Sequence, residues 1–247
     1  MPNILVLGGT TEASALAQAL ATAQIPATLS YMGRVERPKP QPIPTRIGGF
    51  GGVPGLIAYL HDQQITHVID ATHPFAAQMS TNAVQACAAT GTPLLALTRT
   101  AWEPQPGDRW QRVPDIPAAV TALAGPPRRV LLAIGRMHLA EFAAQPQHHY
   151  HLRLVDAASE PPPLPDHAIT LDRGPFSAEA DEVLLKANRI DLIVSKNAGG
   201  TGSVSKLIAA RALGVPVLMI DRPKLPQRRE THDPAEALAF ARTLFAP

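Results

Sequence analysis

Apolar residues along this chain fall in short blocks, and most blocks end in glycine or in a polar pair before a helical period begins. Ile4 to Leu7, Ala27 to Met32, Ile65 to Ala71, Leu94 to Thr98, Arg129 to Ile134, Tyr150 to Val155, Ala168 to Leu171 and Ile190 to Ser195 are such blocks. They are too short for helices and are dominated by branched apolar residues, which predicts strands buried on both faces, as in a parallel sheet. Between them, Ser14 to Ala21, Val53 to Gln63, Ala76 to Thr90, Ile116 to Leu123, Leu139 to Ala144 and Val204 to Leu213 are predicted helices, rich in Ala and Leu. Ser177 is a good N-cap for another, whose first turn carries Glu179, Asp181 and Glu182 at the positive end of the helix dipole. Pro234 to Phe245 is predicted as a C-terminal helix.

The order strand, turn, helix, strand recurs. Ile65 to Leu97 and Ile190 to Ile220 both read strand, polar turn, Ala-rich helix, Gly-x-Pro, strand, with nearly equal spacing. Pro38 to Pro44 cannot be helix. The proline-rich stretch from Trp102 to Pro117 reads as a crossing between halves, with a short strand at Trp110 to Val113. The predicted fold is therefore α/β: two Rossmann-like parallel-sheet domains facing a shared cleft, residues 1–100 and 101–247.

Candidate chemistry sits where these strands end, because open α/β sheets bind ligands at their carboxyl edge. Gly8-Gly9-Thr10-Thr11-Glu12-Ala13 joins the first strand to its helix, and glycine there allows a sharp turn and close approach of a ligand to the backbone. The unpaired amides at the helix start favour an anion such as a phosphate. Gly33-Arg34 follows the second strand, where dinucleotide folds usually carry an acidic residue for the ribose 2′-hydroxyl. Arg34 and Arg37 stand there instead, and a guanidinium suits a 2′-phosphate, so NADPH is expected over NADH. The full G-x-G-x-x-G pattern is absent, and a solvated Arg34 is the alternative.

Gly48-Gly49-Phe50-Gly51-Gly52 allows close backbone approach, with Phe50 either against a flat ring or tucked into the core. Thr72-His73-Pro74 ends the strand from Ile65, which places Thr72 and His73 at the ligand edge; a structural His73 is the alternative. Gly135-Arg136-Met137-His138 repeats the strand, glycine, helix logic, putting Arg136 and His138 where an anionic ligand would meet them, unless they cap local carbonyls. Lys196-Asn197-Ala198-Gly199-Gly200-Thr201-Gly202-Ser203, with Lys206 in the next helix, is the clearest anion site. It resembles a phosphate loop without the Gly-Lys-Ser/Thr order, which disfavours ATP.

Composition narrows the class further. With 247 residues, 45% hydrophobic content and a net charge of +2, the chain can bury a sizeable core and has no basic tail for nucleic acid. The single Cys87 excludes an internal disulfide and reads as a small buried hydrophobe. The absence of a leader-like or membrane-length apolar run leads to a cytoplasmic expectation.

Taken together, Ile4 to Ala13, Gly33-Arg34, Gly48 to Gly52, Asp70 to Ala76, Ile134-Gly135-Arg136 and Ser195 to Gly200 resemble the precorrin-6A reductase family, whose cobalt-precorrin branch shares the pattern. The resemblance runs from about residue 4 to about residue 222. It implies hydride transfer from NADPH to a double bond of the precorrin-6A macrocycle, giving precorrin-6B in cobalamin biosynthesis, with no metal, nucleic acid or membrane partner. The cofactor is then expected at Gly8, Gly9, Thr10, Thr11, Glu12, Gly33, Arg34, Gly49, Phe50, Gly51 and Thr72 of the N-terminal domain. The polycarboxylate corrinoid precursor is expected at Arg136, His138, Lys196, Asn197, Gly199, Gly200, Thr201, Ser203 and Lys206, with Arg99 as a further cation. His73 and Lys196 are the catalytic candidates for the proton, with water as the alternative donor.

Three competing readings stay open from sequence. Another NADPH reductase or epimerase would commonly use a Tyr-x-x-x-Lys pair, and Tyr31, Tyr59 and Tyr150 have no lysine at that spacing. A non-catalytic NADPH sensor or tetrapyrrole carrier would bind without turnover. A double-sheet glycosyltransferase would need a sugar nucleotide at the Gly8–Glu12 turn.

Overall fold

The computed structural model describes residues 2–32, 40–155, 160–172, 174 and 176–243. In chain order the elements are β1 (Ile4–Leu7), α1 (Thr11–Thr22), β2 (Ala27–Tyr31), β3 (Thr45–Ile47), α2 (Gly52–Asp62), β4 (His67–Asp70), α3 (Ala77–Thr90) and β5 (Leu94–Leu97). They continue with β6 (Trp110–Val113), α4 (Ile116–Ala122), β7 (Arg129–Ala133), β8 (His149–Leu154), β9 (His167–Leu171), α5 (Ala178–Ala187), β10 (Leu192–Lys196), α6 (Ser205–Leu213), β11 (Val217–Ile220), β12 (Glu230–Thr231) and α7 (Pro234–Ala241).

These elements form two compact units, one of Met1–Thr100 with Lys224–Pro247, the other of Ala101–Pro223. Each holds one six-stranded sheet, ordered β12-β5-β4-β1-β2-β3 in the first and β6-β11-β10-β7-β8-β9 in the second. Every neighbouring pair runs parallel, with Ile4 opposite both Ala27 and His67, and Ile193 opposite both Val217 and Leu131. Strand order reverses at β1/β4 in one sheet and at β7/β10 in the other, so each sheet has a switch point at its carboxyl edge.

The apolar blocks do what their composition predicts. Side chains alternate across a strand, so Ile4 and Val6 pack under α1 and α7 with Leu16, Leu20, Leu29 and Phe240. Leu5 and Leu7 face the other way, onto α2 and α3 with Leu56, Val68 and Ala83. In the second unit Leu131, Ile193, Val217 and Met219 meet Leu185, Leu207 and Ala210 from α5 and α6. α1 starts at an N-cap that the sequence encodes, Thr10, whose hydroxyl accepts from the Ala13 amide at 3.1 Å.

Three expectations are corrected. The chain does not divide simply at residue 100, because Lys224 onward returns to the first unit, where β12 pairs with β5 and α7 packs on α1. β3 and β12 are strands that the apolar pattern missed, being short and polar. Leu139 to Ala144 is no α-helix: Arg136–His138 and Ala140–Ala144 form two short 3-10 turns, too brief between Gly135 and Pro146 to nucleate an α-helix. Among the described residues no helix is long and apolar enough to cross a membrane, and no cluster of His, Cys, Asp and Glu could hold a metal ion.

Candidate functional site

In the first unit, the ends of β1 and β4 lie side by side, with the Ala71 amide bonded to the Leu7 carbonyl at 2.9 Å. The Thr10 hydroxyl reaches across to the Ala71 carbonyl at 2.8 Å, so the two turns hold one another. Gly8 and Gly9 have different reasons to be glycine. A Cβ on Gly8 would stand 2.5 Å from Leu29 Cδ1, so this glycine lets strand and helix pack closely. Gly9 has φ +125° and nothing within 4 Å of a notional Cβ, so it makes the turn and leaves the space above open. Among the described residues no acceptor takes the amides of Gly9, Thr10 or Thr11, the arrangement that receives an anion at a helix start.

The first turn of α1 also carries a carboxylate. Glu12 Oε2 accepts from Arg99 Nε at 2.8 Å and from the Thr11 hydroxyl at 3.0 Å. Burial alone pushes the Glu12 carboxyl up, but Arg99, the residue's own amide and Thr11 outweigh it and hold the pKa below the usual value. Arg99 is thus the partner of Glu12 at this turn. Gly33 and Arg34, expected at the end of β2, lie outside the described residues.

The glycine loop after β3 resolves the Phe50 alternatives. Phe50 packs with the core residues Leu56 and Leu60 and sits edge-on to Tyr59, with ring centroids 5.1 Å apart. Arg46, which sequence reasoning passed over, lies 3.9 Å over the Phe50 ring and donates to the carbonyls of Gly48 at 2.5 Å and Gly49 at 2.7 Å. A strand-edge arginine four residues before an aromatic in a glycine loop was the available signal. Phe50 is therefore a loop anchor, while the exposed Gly49 and Gly51 keep their place on the surface of the loop.

Asp70 was also missed, although an acidic residue closing an apolar strand is a recognisable signal. It is 2% exposed, and its two oxygens accept from the Thr72 amide (3.1 Å), the Thr72 hydroxyl (2.7 Å), the Ser80 hydroxyl (2.6 Å) and Arg228 Nη1 (2.6 Å). Thr72 is fixed by this network. His73 Nδ1 accepts from the Phe75 amide at 3.2 Å, which holds the ring against its own turn.

In the second unit, the turn after β10 is fastened through its carbonyls. Arg222 donates to the carbonyls of Asn197 at 3.0 Å and Ala198 at 3.1 Å. The Trp102 indole N–H donates to Gly200 at 2.7 Å, and Lys206 Nζ donates to Ser203 at 2.6 Å. Gly199 and Gly200 have φ of +70° and +69°, the left-handed region that favours glycine. Among the described residues none accepts from the amides of Gly199, Gly200, Thr201, Gly202 or Ser203. Carbonyls are committed inward and amides are unspent, which suits a phosphate or carboxylate.

Two side chains expected to touch the ligand are committed elsewhere. The Asn197 amide group, 2% exposed, accepts from the Trp102 backbone N–H at 2.8 Å and donates to its carbonyl at 2.9 Å. Lys206, 7% exposed, places Nζ on the Ser203 carbonyl and 4.7 Å from the Trp102 ring centroid. Burial pulls its pKa down to about 8, with Asp181 opposing that fall and Arg153 adding to it. Thr201 and Gly202 are exposed, Ser203 and Lys196 half-buried. Arg136 lies on an exposed turn after β7, and His138 pairs with Glu141 at 2.7 Å, the local-partner alternative for that histidine.

Turns of this kind, repeated at the carboxyl edges of two doubly wound parallel sheets, define an α/β protein suited to anionic ligands at strand ends. Residues 3–242 match the family model described as precorrin-6x reductase CbiJ/CobK, and the chain belongs to that family. It is 58% identical over 228 residues to the precorrin-6A reductase of Rhodobacter capsulatus, covering 92% of this chain and 91% of that one. A solved structure described as CobK precorrin-6A reductase superposes with a TM-score of 0.93 at 55% identity, covering 97% of this chain and 96% of the other. The cobalt-precorrin-6A reductase of Priestia megaterium is 28% identical over 90% of this chain and 91% of its own.

Proposed function

We propose that the protein reduces a double bond of precorrin-6A with NADPH, giving precorrin-6B in cobalamin biosynthesis. The observation that carries this reading is the pair of glycine turns with unspent amides at the ends of β1 and β10, in a chain of the precorrin-6x reductase family. The identities favour the metal-free macrocycle, at 58% to a precorrin-6A reductase against 28% to a cobalt-precorrin-6A reductase.

The amides of Gly9, Thr10 and Thr11, with open space above Gly9, fit the pyrophosphate of NADPH, and Arg34 is assigned to its 2′-phosphate. NADPH supplies the hydride; the protein supplies orientation and charge. The turn from Gly199 to Ser203 takes a carboxylate of the macrocycle, with Lys196 and Arg136 adding positive charge. Of the two candidates for the proton, Lys196 is the better: an ammonium gives up a proton to leave a neutral amine. His73, whose Nδ1 is engaged by the Phe75 amide, is assigned to orienting the ligand.

The test is loss of nicotinamide absorbance with purified protein and precorrin-6A, beside NADH and cobalt-precorrin-6A controls. Turnover with NADPH and precorrin-6A is the expected result. Binding of NADPH without turnover of either macrocycle would replace this reading with a sensor or carrier. Arg34→Ala is expected to raise the KM for NADPH and leave that for NADH nearly unchanged; equal losses would remove the 2′-phosphate assignment.

A further inference from the structure

Lys206 is a buried lysine that meets no carboxylate at hydrogen-bond distance among the described residues, an arrangement that costs stability and calls for a reason. Its ammonium makes two directed contacts, the Ser203 carbonyl at 2.6 Å and the face of Trp102 at 4.7 Å. Trp102 in turn fastens the same turn twice, through its indole N–H to Gly200 and through its backbone to both ends of the Asn197 amide. Lysine, tryptophan and turn are thus joined by directed contacts on three sides.

We propose that Lys206 and Trp102 are positioning residues for capture of the macrocycle: they turn the carbonyls of residues 200 and 203 inward so that the amides of Thr201 and Val204 face the ligand's anionic group. This rests on the reading above in one respect, that the turn takes the macrocycle. A peptide unit has one N–H and one C=O on opposite sides, so fixing the carbonyl of Gly200 aims the amide of Thr201 the other way. The buried positive charge under the turn adds to its attraction for an anion, and the low-dielectric surroundings keep that charge from being screened. Groups facing the ammonium from the neighbouring elements are Asp181 on α5 and Arg153 on β8, the first supporting the charge and the second opposing it.

A lysine held near pKa 8 loses its charge in mildly alkaline solution, and with it the contact to the Trp102 face. The KM for precorrin-6A is therefore expected to rise about fivefold to tenfold between pH 7 and 9, the net worth of one ordinary hydrogen bond, while kcat stays level. Lys206→Met should show the raised KM already at pH 7 and no step near 8. Trp102→Phe keeps a ring under the ammonium but removes the indole donor, so it should raise the KM and keep the step. The KM for NADPH should not follow either change. A wild-type KM flat across this range, or a Lys206→Met enzyme indistinguishable from wild type at pH 7, would overturn the proposal.

A measurement independent of turnover separates this from the assignment of the reaction. In a Trp110→Phe background, emission from Trp102 should change through pH 8, and adding Lys206→Met should abolish the change. Failure of precorrin-6A turnover with that emission step intact would remove the proposed reaction and keep the lysine–tryptophan clamp. An emission that is flat with pH would remove the clamp whatever the reaction proves to be.

Discussion

The strand-end turns of the two units are secured by cations in different ways. Behind the Thr72–His73 turn of the first unit, Arg228 acts through a carboxylate: its guanidinium meets Asp70, and Asp70 holds Thr72. Behind the Asn197–Ser203 turn of the second unit, Arg222 and Lys206 touch the turn's carbonyls directly. The first arrangement is a charge-compensated cluster, in which Arg228 also meets Glu230. The second sets cations directly on carbonyl oxygens of the turn. The same contrast appears at the helix starts, where α1 carries Glu12 matched by Arg99 and the first turn of α6 carries no acidic residue. Two turns of similar backbone design are thereby tuned apart, one toward geometry and one toward attraction of an anion.

The sharpest break of that contrast is Arg228→Met. It strands Asp70, 2% exposed, without its countercharge, and the expected loss is about 3–5 kcal/mol of stability, read in urea denaturation. A loss under about 1 kcal/mol would mean that the pair is not what shapes the turn.

Lys206→Met should behave in the opposite sense. The folded pKa of about 8 lies below the ordinary lysine value of 10.5, so holding the charge costs about 3 kcal/mol at pH 7. Between those two values the unfolded chain binds more protons than the folded one, so wild-type stability rises with pH there. The variant lacks that rise, and its melting temperature relative to wild type should be highest at pH 7 and decline steadily above pH 8. Melts in which the difference does not depend on pH would show that Lys206 is not a titrating buried charge.

Gly8→Ala and Gly9→Ala separate packing from binding within one turn. The first forces Leu29 aside and should cost about 1–3 kcal/mol, seen in thermal melts. The second strains a positive φ but meets no neighbour, so its main effect should be on NADPH affinity by titration. Smallest of all is Glu12→Gln. Removing the carboxylate takes a negative charge away from a helix start, and NADPH should bind about twofold to fivefold more tightly, a helix-dipole effect of about 0.3–1 kcal/mol. Weaker binding would instead make Glu12 a direct contact to the cofactor.

Much of the architecture could be read from the residues because buried parallel strands carry their signal locally. Ile4–Leu7 and Leu192–Lys196 are apolar, flanked by glycine turns, and so visible as blocks. β12 was invisible for the complementary reason: Glu230 and Thr231 have no apolar pattern, and their strand geometry is imposed by the edge of β5. At the turns, backbone character was legible and side-chain duty was not. The glycines announced unspent amides, but Asn197 and Lys206 looked like ligand contacts because only the fold brings Trp102, some hundred positions away, against them. Phe50 misled in the same way until Arg46 and Tyr59 were placed around it.

The return of residues 224–243 to the first unit also dictates a schedule of assembly. The outer edge of β5 and the face of α1 that meets α7 are made early, yet their partners are translated only after the whole second unit. Between the synthesis of β5 and that of β12 the first sheet has five of its strands and an open edge, the kind of surface that favours aggregation. The second sheet has all six strands within one continuous stretch and can close while the ribosome is still at work. The half that leaves the tunnel first is the half that matures last.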